Sequence, residues 1–245
     1  MKKYVILLLV CGCLGTSSWT TLRTEHYTFH YRPGSLAEED IHFIAEYQEL
    51  SYTKIVETLQ VSFDGHIHYY FYTSEWDKLF STGDKGGGLS NTLKNEIHAI
   101  YDENRKVIGC HEDTHIIAYR TLGNPPFFLQ EGLAVFMMES WFQRPVHEWG
   151  REFLHKEKLI PVKSLLVSIN FEKYDPKVTY PQSGSFVKYL VEVYGIEKFK
   201  TLFSQAVDEN IEFLFKEVYS KSIDELEKEW LHYLGNTEIP MDIII

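Results

Sequence analysis

Two histidines four residues apart, with a glutamate directly after the first, form the stretch of this chain best suited to chemistry. They are His111, Glu112 and His115 in Cys110-His-Glu-Asp-Thr-His. An α-helix advances about 100° per residue, so positions i and i+4 lie roughly 40° apart and both imidazoles can point at one ion. Glu112 then stays close enough to act as a base on water held there. Two neutral imidazoles and one carboxylate, with a fourth position left open, make the ligand set of a catalytic zinc site. Glu131, in Gln130-Glu-Gly-Leu-Ala, is the candidate third ligand. His147 is a rival for that place, although nothing in the spacing fixes its distance from the pair. A buried histidine pair with an unrelated surface glutamate is the plain alternative.

The elements around these residues must position them. Val107, Ile108, His111, His115, Ala118, Tyr119 and Leu122 fit one face of a predicted helix, which turns the histidines inward with the apolar residues. Gly123, Asn124, Pro125 and Pro126 break it, and a second apolar helix is predicted from near Phe128, with Glu131 close to its start. Helix, turn, helix is a compact way to close a three-ligand site.

His111-Glu-Asp-Thr-His followed by Pro125-Pro-Phe-Phe-Leu-Gln-Glu-Gly-Leu-Ala-Val-Phe resembles the gluzincin metallopeptidases, and among them a short bacterial group. A metzincin would need Gly and His at the third and sixth positions after the second histidine, where this chain has Ala118 and Thr121. The fifteen residues between His115 and Glu131 suit the small-domain group. The resemblance implies one Zn2+ ion per chain held by His111, His115 and Glu131, with Glu112 as general base. It also implies peptide-bond hydrolysis acting on a peptide or protein substrate. Tyr180, ahead of a helix, resembles the position from which gluzincins offer a phenol to the oxyanion; packing is the other reading of that ring. A zinc-bearing surface lipoprotein that binds but cleaves nothing is the alternative function. The implied fold is α+β: a zincin-like catalytic domain with a small mixed or antiparallel sheet, the HExxH helix beneath it, and a helical C-terminal part. Asp113 stands where the family more often has an apolar residue and is expected to face solvent. Glu139 or Asp113 could orient the free ring nitrogens of the histidines. The strand Glu96–Tyr101 is expected to lie at the cleft edge and pair with extended substrate, with the loop Ser81–Ser90 as its lip.

With 24 basic and 35 acidic residues the chain carries a net charge of −11 and has no long basic run, which argues against nucleic acid. Hydrophobic residues make up 44% of it and aromatics 15%, so a packed core rather than disorder is expected. Lys2 and Lys3 precede the apolar run Tyr4–Val10 and then Cys11-Gly-Cys13, which reads as an export signal too short to span a bilayer comfortably. Val-Cys-Gly-Cys resembles a bacterial lipoprotein cleavage box with Cys13 as the lipidated residue, Cys11 being a poorer fit. The expected location is the bacterial cell envelope, anchored to the membrane. Only Cys110 would remain in the mature chain, so no internal disulfide is available. The expected divisions are 1–13 signal, 20–145 catalytic region, 146–235 helical part of the same unit and 236–245 tail.

Elsewhere, Thr24–Tyr31 alternates aromatic and polar residues as a half-buried strand does. Ser35 and Glu38 read as a capping box for a long amphipathic helix over Leu36–Leu59. Ile67–Thr73 reads as a second strand, with His66 and His68 as strand residues rather than ligands. The three consecutive glycines of Ser81–Ser90, Gly86, Gly87 and Gly88, are not followed by the Gly-Lys-Ser/Thr of a phosphate loop. His147 and His155 fall in a predicted third helix. Helical periodicity dominates from Gly184 onward, with Gly195 and Gly235 as stops and Ser222-Ile-Asp-Glu225 as another capping box.

Overall fold

Alternating aromatics build the centre of the molecule. The computed structural model describes residues 19–236; Lys2, Lys3, Cys11, Cys13 and the last nine residues lie outside the described residues. A hairpin of β1 (Thr20–Arg23) and β2 (Tyr27–Tyr31) opens the chain. In place of the single strand expected over Thr24–Tyr31, a turn at 24–26 separates β2 from the unexpected β1. Next come α1 (Leu36–Glu39) and α2 (Ile41–Leu59), a break at Asp40 where a single helix was expected. The Asp40 carboxylate there accepts hydrogen bonds from the Tyr101 hydroxyl and Lys106 Nζ, both at 2.8 Å. Ser35 does cap α1, accepting from Glu38 N at 3.3 Å, but the Glu38 side chain reaches Gly34 N rather than closing the box.

β3 (Ile67–Tyr72), α3 (Glu75–Thr82), β4 (Gly88–Asn91) and β5 (Glu96–Ile100) complete a five-stranded sheet in the order β1-β2-β3-β5-β4. β2, β3 and β5 run parallel, while β1 and β4 are antiparallel to their neighbours. Tyr27, Phe29, Ile67, Tyr69, Phe71, Ile97 and Ala99 point to one face and are buried, the period-two pattern expected of strands. β5 is therefore an inner strand. The edge expected at 96–101 belongs instead to β4, which grows out of the glycine loop.

Across that buried face lie α2 and α4 (Cys110–Thr121), and α4 leads into α5 (Phe127–Met138). A tight hairpin, β6 (Ser140–Trp141) with β7 (Arg144–Pro145), connects to α6 (Val146–His155). Two short turns of helix follow, α7 (Val162–Leu165) and α8 (Ser168–Phe171), and then the long α9 (Pro176–Tyr194). α10 (Ile196–Gln205), α11 (Ile211–Tyr219) and α12 (Ile223–Asn236) close the helical part. Gly195 ends α9 at φ +86°, as expected, but Gly235 lies within α12. The Ser222–Glu225 box is reciprocal, with Ser222 N donating to Glu225 and Glu225 N donating to Ser222 Oγ. Among the described residues no helix is long and apolar enough to cross a membrane.

The helical part is joined to the first half through α5 against α9, and glycine lets the two axes approach. A Cβ on Gly132 would sit 2.6 Å from Val187 Cγ2 and 3.0 Å from the Ser183 carbonyl oxygen. One on Gly184 would sit 2.4 Å from Val135 Cγ1 and 2.8 Å from Val135 Cβ. Val135 is β-branched and buried, so it cannot rotate clear. Gly184→Ala should therefore destabilise the fold by about 1–3 kcal/mol through overpacking, despite the gain of roughly 1 kcal/mol in helix propensity. Thermal melts check this. A melting temperature that is unchanged or raised would show that the two helices can part freely.

Candidate metal centre

α4 begins where glycine permits it. Gly109, at φ +108° and ψ −163°, holds a backbone conformation that other residues rarely adopt. The expected helical face that began at Val107 and Ile108 is thus shortened, since both precede this turn. Gly109 N donates to Gln48 Oε1 at 2.6 Å, and Gln48 Nε2 donates to Asp113 Oδ2 at 2.9 Å. The Tyr27 hydroxyl donates to Asp113 Oδ1 at 2.5 Å. Asp113 is fully buried, so the solvent-facing position expected for it is wrong. It fastens the first turn of α4 to β2 and α2 at once, and a carboxylate there also suits the positive end of the helix.

From the first and second turns of α4, His111 and His115 project from one face with their rings 5.0 Å apart, edge to face. Glu131 comes up from the second turn of α5. Its Oε2 lies 3.4 Å from His111 Nε2 and 3.6 Å from His115 Nε2, and the ligand atoms of all three residues fall within 4.8 Å of one another. A tetrahedral ion with ligands about 2.0–2.1 Å away sets ligand–ligand separations of roughly 3.4 Å. The donor set and its spacing therefore suit one such ion. Glu131 Oε2 is buried with no hydrogen-bond partner among the described residues, as a metal-directed oxygen would be. Burial alone would push the Glu131 carboxyl up; His115 and His111 overcome it and hold the group well below the usual range. Burial alone would lower His115, but the charge of Glu131 raises it.

Glu112 lies beside this trio and under the sheet edge. A Cβ on Gly88, the first residue of β4, would come within 2.3 Å of Glu112 Oε1. The glycine run is thus no phosphate cradle. It lets the edge strand pass directly over the carboxylate.

Tyr180 is inside the first turns of α9 rather than ahead of a helix. Its ring lies nearly parallel to that of His111 at 6.3 Å, with Trp141 at 5.4 Å and Phe171 at 6.0 Å. Burial, then the charges of Glu131 and Glu112, raise its pKa, so the phenol keeps its proton.

Other expectations change. His147 is buried 38 residues before its partner Ser185: Nδ1 is 2.9 Å from Ser185 Oγ and Nε2 is 3.1 Å from Glu192, outside the trio. Glu139 pairs with Lys54 at 3.2 Å and Asp113 with Tyr27 and Gln48, so neither orients a ligand histidine; His111 Nδ1 has no partner among the described residues. His68 lies in β3 near His30, whereas His66, expected in the strand, precedes it and has its Nε2 2.8 Å from Thr28 Oγ1. Sequence reasoning missed Trp141. It is held 6.2 Å from His111 by the β6–β7 hairpin, whose two turn residues, Phe142 and Gln143, both have positive φ. Such turns are usually announced by Asn-Gly, which is absent here.

The sequence profile of the Peptidase MA superfamily matches residues 86–236. No curated protein sequence matches the chain. Among solved structures, the M1 zinc metallopeptidase from Deinococcus radiodurans is similar at a TM-score of 0.55 and 12% identity, over 93% of this chain and 54% of that one. A point mutant of the same enzyme gives 0.52 and 11%, over 91% and 53%. The chain spans about half the length of these structures, and at such identity the likeness is one of fold.

Asp113 offers a test of how α4 is held. Burial raises its carboxyl from 3.8 to about 7, against hydrogen bonds from Tyr27 and Gln48 that lower it. The folded state therefore binds this proton more tightly than the unfolded chain. The stability it confers is full below about pH 3.8 and is lost as pH rises through about 7. Asparagine cannot follow that titration and leaves one of the donors facing an amide NH2, a cost of about 1–3 kcal/mol. In denaturant melts, the stability gap between wild type and Asp113→Asn should be wider at pH 5 than at pH 8. A gap that grows with pH would contradict the assignment.

Proposed function

This chain belongs to the Peptidase MA superfamily, and from that premise we propose that it is a zinc-dependent peptidase of the gluzincin type. The observation that carries the reading is the convergence of His111, His115 and Glu131 within 4.8 Å, with the Glu112 carboxylate beside them beneath an edge strand. His111, His115 and Glu131 would hold one zinc ion per chain. When bound, zinc supplies a Lewis acid that polarises a carbonyl and makes water acidic near pH 7.

The residues of the chain do the rest. Glu112, whose side chain forms no ion pair or hydrogen bond among the described residues, accepts the proton of the attacking water and passes it to the leaving amine. Tyr180, kept protonated by burial and two nearby carboxylates, donates a hydrogen bond to the developing oxyanion. β4 presents its free edge, so an extended peptide can add as a further strand above Glu112, held by backbone hydrogen bonds. We also propose export and anchoring through Cys13 in a bacterial envelope, supported by Lys2, Lys3 and the apolar run after them.

The test is cleavage of a mixed peptide library by zinc-loaded wild type, Glu112→Gln and Tyr180→Phe. Glu112→Gln keeps all three ligands and removes only the base. Its zinc content should be unchanged while turnover falls by about 10²–10⁴. Tyr180→Phe should lower kcat by roughly 10²–10³ with little change in KM. Equal cleavage by wild type and Glu112→Gln would remove the role given to Glu112. No cleavage by any of them, with zinc bound to all, would favour a zinc-bearing binding lipoprotein.

A further inference from the structure

Next to the metal centre, on the side of Glu131 and Tyr180, is a cleft of about 310 Å³. That lies at the small end of the roughly 300–1,000 Å³ range of ligand pockets, room for a single long side chain rather than a folded partner. Phe127, Phe171 and Tyr174 supply aromatic walls. Phe127 and Tyr174 keep more than a third of their surface exposed, so the walls are open to an incoming group. Glu172, the residue after α8, also lines the cleft.

The charge balance of this cleft is one-sided. Its lining includes two carboxylates and no cation. Glu131 is already committed to the two histidines. Glu172 forms no hydrogen bond or ion pair through its side chain among the described residues. Lys173 follows it in sequence but donates to Asn170 Oδ1 at 2.9 Å and does not neutralise it. The charge of Glu172 reaches inward as far as the Tyr180 phenol, where it is one of the influences that raise that group.

We infer that this cleft receives a lysine or arginine side chain of the substrate, next to the bond to be cut, and that Glu172 is the residue that selects it. Such a side chain has an apolar stem that lies along aromatic rings and a cationic head that is attracted both to ring faces and to a carboxylate. An acidic side chain would meet the like charge of Glu172 and is disfavoured. A neutral apolar one gains the walls but leaves Glu172 unpaired. This specificity rests on the peptidase reading above, and the experiment separates the two.

Two measurements on the zinc-loaded chain are needed. One is kcat/KM on peptides that differ only in Lys, Arg, Leu or Glu at the residue flanking the cut. The other is calorimetric binding of argininamide and leucinamide, which requires no turnover. Lys and Arg peptides should be cleaved at least about tenfold faster than Glu peptides. Glu172→Gln should lower the Lys and Arg values about five- to tenfold and leave Leu within about twofold. Glu172→Lys should turn the preference toward Glu, and argininamide should weaken in both variants while leucinamide does not. Glu172 is exposed, so these variants are expected to melt as wild type does. Cleavage that is indifferent to the substitution, or equally fast for Glu peptides, would overturn the specificity and leave the peptidase standing. Argininamide binding that depends on Glu172 without any cleavage would support the cleft and remove the peptidase. Neither cleavage nor binding would remove both.

Discussion

An ionised carboxylate drawn out of water needs positive or metal partners, and the half-buried Glu131 faces two imidazoles. That requirement organises the molecule. The histidines must share one face of α4, which the i, i+4 spacing secures. The glutamate must arrive on a second helix close enough to touch both, which the Gly123–Pro126 break and the packing of α5 secure. α5 is in turn fixed by α9, against which Gly132 and Gly184 leave no room for another atom. The same contact brings Tyr180 over His111. One helix pair thus sets the positions of both Glu131 and Tyr180.

The sheet contributes from the other side. Tyr27 and Gln48 hold the buried Asp113 and so lock the first turn of α4 to β2 and α2. Gly88 lets the edge strand cross above Glu112 at a distance no side chain would allow. Glu112 thus lies beneath the edge strand, while Tyr180 comes from the helix α9 beyond Glu131. The cleft at Phe127, Phe171 and Glu172 reaches Glu131 and Tyr180 from the side of α8.

Much of the site was legible in the sequence because its signals are local. His111, Glu112 and His115 are fixed by helical geometry, and Glu131 by a short turn rich in breakers. What was not legible depends on contacts distant in sequence. Asp113 looked like a surface residue because its partners, Tyr27 and Gln48, are 86 and 65 residues away. The edge strand was assigned to 96–101 because the four residues of β4 carry no alternating pattern, only a glycine run. Trp141 was missed because its hairpin turns through Phe142 and Gln143 at positive φ, which sequence rules reserve for Asn and Gly. Helix α9 starts eight residues before the periodicity suggested, since Asp175 caps it by accepting from Lys177 N and Pro181 is accommodated inside its first turns.

X-ray absorption at the zinc edge would read the convergence of the two helices most directly. The zinc-loaded chain should show a four-coordinate shell of nitrogen and oxygen at about 2.0–2.1 Å, with the outer-shell scattering of two imidazoles. Glu131→Ala should lose one light-atom ligand and keep both imidazoles. A sulfur neighbour would bring in Cys110, a third imidazole would bring in another histidine, and a spectrum that Glu131→Ala leaves unchanged would exclude Glu131. Any of these would contradict the site assembled from α4 and α5.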